Sequence, residues 1–203
     1  MMEDCVPRNM KILYSQIEVE RIIKSLAAQI YVDQKGEFKN VVFLIVLKGG
    51  EWFGSRLIDA LVRLGVYDFE YDFIGVSTYG NSTHACLAIQ EGKVRINFYK
   101  HISINLEGKD IWIIDDILDT GQTLSIVSEY IKMQSKLKNM TIKSCTLVDK
   151  PRNRIVNFKN IEATLKGFNY IGDYFLLGCG MGLGERYRCI PHICEFTETE
   201  QGV

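Results

Sequence analysis

The run Ile111-Trp-Ile-Ile-Asp115-Asp116-Ile-Leu-Asp119-Thr120-Gly121-Gln122-Thr123 constrains the fold of this chain more than any other stretch. Its first four residues are apolar without alternation, the pattern of a strand buried on both faces in a parallel sheet. Two adjacent carboxylates follow at the strand's end, where burying an unpaired charge is costly. Asp-Thr-Gly-x-Thr then makes a loop able to open a helix, and its small residues bring backbone N–H groups together as an anion-binding nest requires. Acids suited to sugar hydroxyls or a metal, beside amides suited to a phosphate, describe a site for a phosphorylated sugar. The plainer reading is a strand leading into a helix capped by Asp119 or Thr120.

The flanking sequence repeats the strand-then-helix theme. Apolar residues at helix spacing (Ile22, Ile23, Leu26, Ala27, Ile30) predict a helix over 17–30. Residues 40–47 read as a second buried strand, broken by Lys48-Gly49-Gly50, and 52–64 as a helix burying Leu57, Leu61 and Leu64. A strand is expected over 71–76, ending in the polar stretch Ser77 to Thr83, and a strand pair or flap over 94–104. A helix near 123–133 and a strand over 141–148 complete the alternation, which implies parallel pairing with right-handed crossovers. Ligands of open α/β sheets bind at the C-terminal ends of the strands, where these glycine-bearing loops stand. From Tyr170 onward the alternation stops, so a separate lid or lobe is expected there.

Bulk properties narrow the class. With 203 residues and no Pro/Gly/Ser-rich linker, the chain reads as one domain, 47% hydrophobic. Lys and Arg number 24 against 25 Asp and Glu, a net charge of −1 that lacks the basic excess of a nucleic-acid binder. No apolar stretch is long enough to span a bilayer, and the first residues lack a signal-peptide core. Six cysteines are scattered without a Cys-x-x-Cys pair, which argues against a disulfide framework or a zinc site. The expectation is a soluble cytoplasmic protein with no nucleic-acid or membrane partner.

Five segments, in order, carry a resemblance to the purine phosphoribosyltransferases of the hypoxanthine(-guanine) type. They are Leu47-Lys-Gly-Gly50, Ser77 to Thr83, Ile114 to Thr123, Leu147-Val-Asp-Lys-Pro-Arg152, and Asp173 to Gly178 leading to Glu185-Arg-Tyr-Arg188. The resemblance implies a type I phosphoribosyltransferase fold of α/β class, a mostly parallel central sheet flanked by helices. A core of about 15–165 would carry a small hood built from the N-terminal segment and about 166–203. It further implies transfer of the 5-phosphoribosyl group from 5-phosphoribosyl-1-pyrophosphate to N9 of a 6-oxopurine, with Mg2+, in a homodimer or homotetramer.

Residue by residue, the resemblance makes Asp115 and Asp116 the pair for the ribose hydroxyls and the metal. It makes Asp119 the catalytic base at purine N7, and Thr120, Gly121, Gln122 and Thr123 the 5-phosphate loop, with no role of its own for the Gln122 side chain. Lys48, Gly49 and Arg188 face pyrophosphate, with a cis peptide expected between Lys48 and Gly49. Ser77, Thr78 and Tyr79 belong to a closing loop. Lys150 addresses the 6-oxo group, Phe175 stacks on the base, and Leu176 offers backbone to its Watson–Crick edge. Two features depart from the family pattern: the closing loop is about two residues short, and Gly182 stands in place of a metal-supporting aspartate. These departures define the alternative, a catalytically weakened sensor of phosphoribosyl pyrophosphate or nucleotide.

Overall fold

The computed structural model describes residues 6–7, 9–77, 86–88, 95–134, 140–158 and 160–197. In chain order the elements are β1 (Met10–Tyr14), α1 (Gln16–Asp33), β2 (Val41–Leu47), α2 (Gly50–Arg63), β3 (Glu70–Ser77), β4 (Cys86–Ala88) and β5 (Arg95–Lys100). They continue as β6 (Asp110–Leu118), α3 (Gln122–Gln134), β7 (Thr141–Asp149), β8 (Leu165–Asn169), β9 (Phe175–Leu177) and β10 (Ile193–Phe196). Among the described residues, no helix is long and apolar enough to cross a membrane.

A seven-stranded sheet in the order β4-β5-β3-β2-β6-β7-β8 forms the centre. The strands from β3 to β8 pair in parallel, while β5 and β4 add an antiparallel edge. The uninterrupted apolar runs of β2 and β6 account for their central places, since both faces are covered. Alternate residues of each strand point to opposite faces. Phe43, Ile45, Trp112 and Ile114 therefore pack with α1 and α2 in one core. Val42, Leu44, Ile111 and Ile113 meet Leu124, Val127 and Ile131 of α3 in the other.

Helix α1 begins at Ser15, whose side chain caps Glu18 N–H while the Glu18 carboxylate accepts from the Ser15 backbone. That reciprocal pair satisfies two otherwise orphaned donors. Helix α2 buries Phe53, Leu57 and Leu61 as its apolar spacing requires. Leu64, expected on that face, is 47% exposed because the helix stops at Arg63 and Leu64 begins the turn.

Beyond β8 the chain leaves the parallel sheet and makes a second one. Strands β1, β10 and β9 form a three-stranded antiparallel sheet joining an early segment to a late one. Met10, Leu177 and Cys194 form a small cluster on one face of it, while Leu176 and Ile193 reach into the core that packs with α1 and α2.

Candidate active site

The site is assembled where β2, β6 and β7 end. Strand β6 continues through both acids to Leu118, so Asp115 and Asp116 lie inside the strand rather than after it. They are 8% and 7% exposed. Burial, then the charge of Asp116, pushes the Asp115 carboxyl well above its ordinary range. Burial also raises Asp116, opposed by hydrogen bonds and by the positive charge of Arg188. Two adjacent, buried carboxylates at a cavity wall are a donor set suited to a divalent cation with oxygen preference. Among the described residues no group of three His, Cys, Asp or Glu could hold a metal ion. Mg2+ does not require such a cage, because it commonly keeps waters and takes substrate oxygens.

The loop after β6 leads into α3. Gly121 has φ +85°, which favours glycine at that turn, and Thr120 Oγ1 accepts from Gln122 N–H at 3.3 Å. Asp119 plays no capping part: its Oδ1 is buried with no hydrogen-bond partner among the described residues. Asp119 lines a cavity, and one of its carboxylate oxygens is buried without a partner, which the capping reading does not explain.

Two cavities adjoin here. The larger, about 300 Å³, is walled by Asp115, Asp116, Asp119, Thr120, Gly121 and Thr123 from β6 and its loop, by Gly49 and by Arg188. The smaller, about 170 Å³, is walled by Lys150, Phe175, Leu176, Met181 and Gly182. Asp116, Ile117, Asp119 and Arg188 line both. Lys150, 5% exposed, donates to the Tyr174 carbonyl at 2.9 Å and stands over the Tyr170 ring. Phe175 is 51% exposed, so its ring is not spent on core packing.

The residues expected at pyrophosphate divide. Gly49 touches the larger cavity, and a Cβ built on it would lie 2.0 Å from Asp116 Oδ2. Lys48 lines neither cavity; its ammonium lies 3.0 Å from Glu185, a contact unforeseen from the sequence. The cis peptide lies between Leu47 and Lys48, one residue before the expected position, where β2 ends and the turn into α2 starts. Arg188 donates to the carbonyls of Gly180 at 2.8 Å and Gly184 at 3.0 Å. Its stem covers Gly182, where an added Cβ would meet the Arg188 Cγ at 2.7 Å. Gly182 therefore supplies room for the arginine. Ser77 ends β3 outside both cavity linings, Gln122 contributes its backbone to the turn, and Thr78 and Tyr79 lie outside the described residues.

Tyr99 and Arg154 were invisible as site residues in the sequence. The Tyr99 ring packs on Gly75, its hydroxyl raised by burial in spite of the nearby charges of Lys48 and Arg188. Arg154 contacts three carbonyls on two site segments, Leu118 and Asp119 at the end of β6 and Lys150 after β7. No local motif marks either one; only the meeting of β5 with β3, and of the loop after β7 with β6, exposes them.

Comparison with known proteins matches this architecture. The sequence profile described as "Phosphoribosyl transferase domain" fits residues 9–168. A hypoxanthine-guanine phosphoribosyltransferase of Bacillus subtilis (strain 168) is 36% identical over 183 residues, covering 90% of this chain and 91% of that protein. The crystal structure of a hypoxanthine phosphoribosyltransferase from Staphylococcus aureus superposes with a TM-score of 0.78 at 30% identity, covering 97% of each chain. The Trypanosoma cruzi hypoxanthine phosphoribosyltransferase, solved in complex with the product IMP, gives a TM-score of 0.78 at 25% identity over 94% of this chain and 96% of that one. The chain also matches Listeria proteins named bifunctional TilS/HprT, at 36% identity for the F2365 strain, but spans only 25% of their length. With the profile running from β1 into β8 and 36% identity across nearly the whole Bacillus subtilis relative, this chain belongs to the phosphoribosyl transferase family, in its hypoxanthine-guanine branch.

Proposed function

We propose that the chain is a purine salvage transferase moving the 5-phosphoribosyl group from 5-phosphoribosyl-1-pyrophosphate to N9 of hypoxanthine, and of guanine, to give IMP or GMP. The observation that carries this reading is the pair of cavities joined through Asp116, Ile117, Asp119 and Arg188. One has the acids and loop amides for a sugar phosphate, and the other has a cation and an exposed aromatic ring for a flat base. The IMP complex of the Trypanosoma cruzi relative supports the same pairing of ligands.

In the proposed reaction the purine N9 lone pair forms the bond to ribose C1 as the C1–O bond breaks, its electron pair leaving on pyrophosphate. Asp119, which lines both cavities, takes the proton from N7. Asp115 and Asp116 hold the ribose hydroxyls, and the loop from Thr120 to Thr123 at the start of α3 holds the 5-phosphate through amides and hydroxyls. Arg188, with Gly49 and the ammonium of Lys48, faces the leaving pyrophosphate. Lys150 keeps donors for the 6-oxo group beyond the one given to Tyr174, and Phe175 stacks on the ring with Leu176 at its edge. A donor at that place disfavours adenine, whose 6-amino group cannot accept. Mg2+ held by Asp115 and Asp116 together with substrate oxygens and water would supply positive charge against pyrophosphate.

The three-stranded sheet serves as the hood that closes the base side. We read the protein as a cytoplasmic homodimer or homotetramer. Steady-state assays with hypoxanthine, guanine and xanthine across Mg2+ concentrations test the proposal. Nucleotide formation from a 6-oxopurine, lost on chelation, is expected. A folded protein that converts none of the three bases would refute it.

A further inference from the structure

Behind the catalytic loop sits a buried cation with more partners than a structural ion pair needs. The Arg154 side chain is 7% exposed. One terminal nitrogen donates to the carbonyls of Leu118, at 2.7 Å, of Asp119, and of Lys150, at 3.2 Å. The other meets the Asp149 carboxylate, itself 2% exposed, and Nε donates to the Ile161 carbonyl at 3.1 Å. Its stem also backs the phosphate loop, since a Cβ on Gly121 would lie 3.3 Å from Arg154 Cδ. A backbone bond from Lys150 N–H to the Leu118 carbonyl ties the same two segments, at 2.9 Å.

We propose that Arg154 is the positioning residue for this reaction, setting the end of β6 that carries Asp119 in register with the end of β7 that carries Lys150. This inference rests on the functional reading above. Asp119 and Lys150 act on the same purine, one at N7 and one at the 6-oxo group, so their separation has to match the base. Nothing fixes the Asp119 carboxylate through its own Oδ1. Its aim is therefore set by its backbone, and Arg154 holds the carbonyl of that backbone. The planar fork suits this task because several donors diverge from one rigid group. A lysine could keep charge near Asp149 but could not span all of these carbonyls. Lys166 gives an internal comparison, because it pairs with Asp149 at 3.0 Å but contacts no site carbonyl.

The test is a double-mutant cycle between Arg154→Lys and Asp119→Asn, with Lys166→Gln as control and thermal melting of every variant. Arg154→Lys should lower kcat roughly 10–100-fold, the scale of a misplaced catalytic group, while leaving the KM for phosphoribosyl pyrophosphate within about threefold. In the Asp119→Asn background the same change should cost little more, because both act through one carboxylate. Lys166→Gln should lower Tm but spare kcat. Additive losses in the cycle, or an equal kcat loss in Lys166→Gln, would overturn the assignment and leave the transferase activity standing. So would an Arg154→Lys protein that does not fold at any temperature, which would mark a purely structural residue. Absence of turnover in the unmodified protein is a different failure, and removes the functional reading and this inference together.

Discussion

Gly49 shows why a residue can be required for the space it leaves. Its φ is −60°, open to any residue, yet a Cβ there would reach 2.0 Å from Asp116 Oδ2. Gly49→Ala should therefore displace the Asp116 carboxylate and weaken phosphoribosyl pyrophosphate binding about 10-fold or more, with circular dichroism unchanged; calorimetric titration measures it. Asp119 is the complementary case, whose oxygen matters because it is unoccupied. Asp119→Asn should reduce kcat roughly 10²–10⁴-fold while ligand affinity holds, as expected for a lost general base. Unaltered turnover in a folded variant would contradict the assigned role. The acids were legible in the pattern of strand and loop, whereas Lys150, Phe175 and Arg188 were singled out only through the family resemblance, and the structure brings all of them to the walls of the two cavities. Glu185 beside Lys48, and Arg188 folded over Gly182, were illegible, since those contacts depend on how one loop returns to another.

At the scale of elements, the three helices and the strands β2, β3, β6 and β7 were readable to within a few residues because their apolar periods differ, whereas β1, β8, β9 and β10 were not foreseen. The acids proved to be strand residues, as β7 continues its pairing with β6 from Ile117 to Val148 and Leu118 to Asp149. A one-chain pattern cannot express that pairing. The tie between β3 and the chain leaving β5 was likewise unreadable. There Asp72 accepts from Ser103 N–H and hydroxyl, Phe73 N–H and the Lys100 ammonium. Burial pushes this carboxyl up, but the four donors outweigh it and hold it down at about 2. A carboxyl depressed in the folded state stabilises the fold above its unfolded pKa, near 4, and loses that contribution as pH falls towards 2. The unmodified protein should therefore lose roughly 2 kcal/mol through this group between about pH 4 and 2. Asp72→Asn should remove that part of the acid dependence while lowering stability at neutral pH. Urea melts at several pH values measure both, and an unchanged acid slope would contradict the account.

For the whole molecule, the two sheets differ in how much apolar matter holds them. The central sheet packs on both faces, whereas the β1-β10-β9 sheet sends Leu176 and Ile193 into the main core on one face and covers the other with only Met10, Leu177, Cys194 and partly buried neighbours. Local openings follow such differences in burial. Amide exchange followed by mass spectrometry should find β9 and β10 less protected than β2 and β6, and equal protection would count against this ranking. The alternation of strand and helix foretold the parallel sheet, but its end at Tyr170 said only that something else follows. No local period announces that Met10 will pair with Phe196. That pairing has a consequence for the chain as it is made. Strand β1 leaves the ribosome well ahead of β10 and must wait for it before it has a neighbour. The strand bearing Phe175 joins the same late assembly. A nascent chain thus carries the turn from Thr120 to Thr123 well before it owns the Phe175 wall of the smaller cavity.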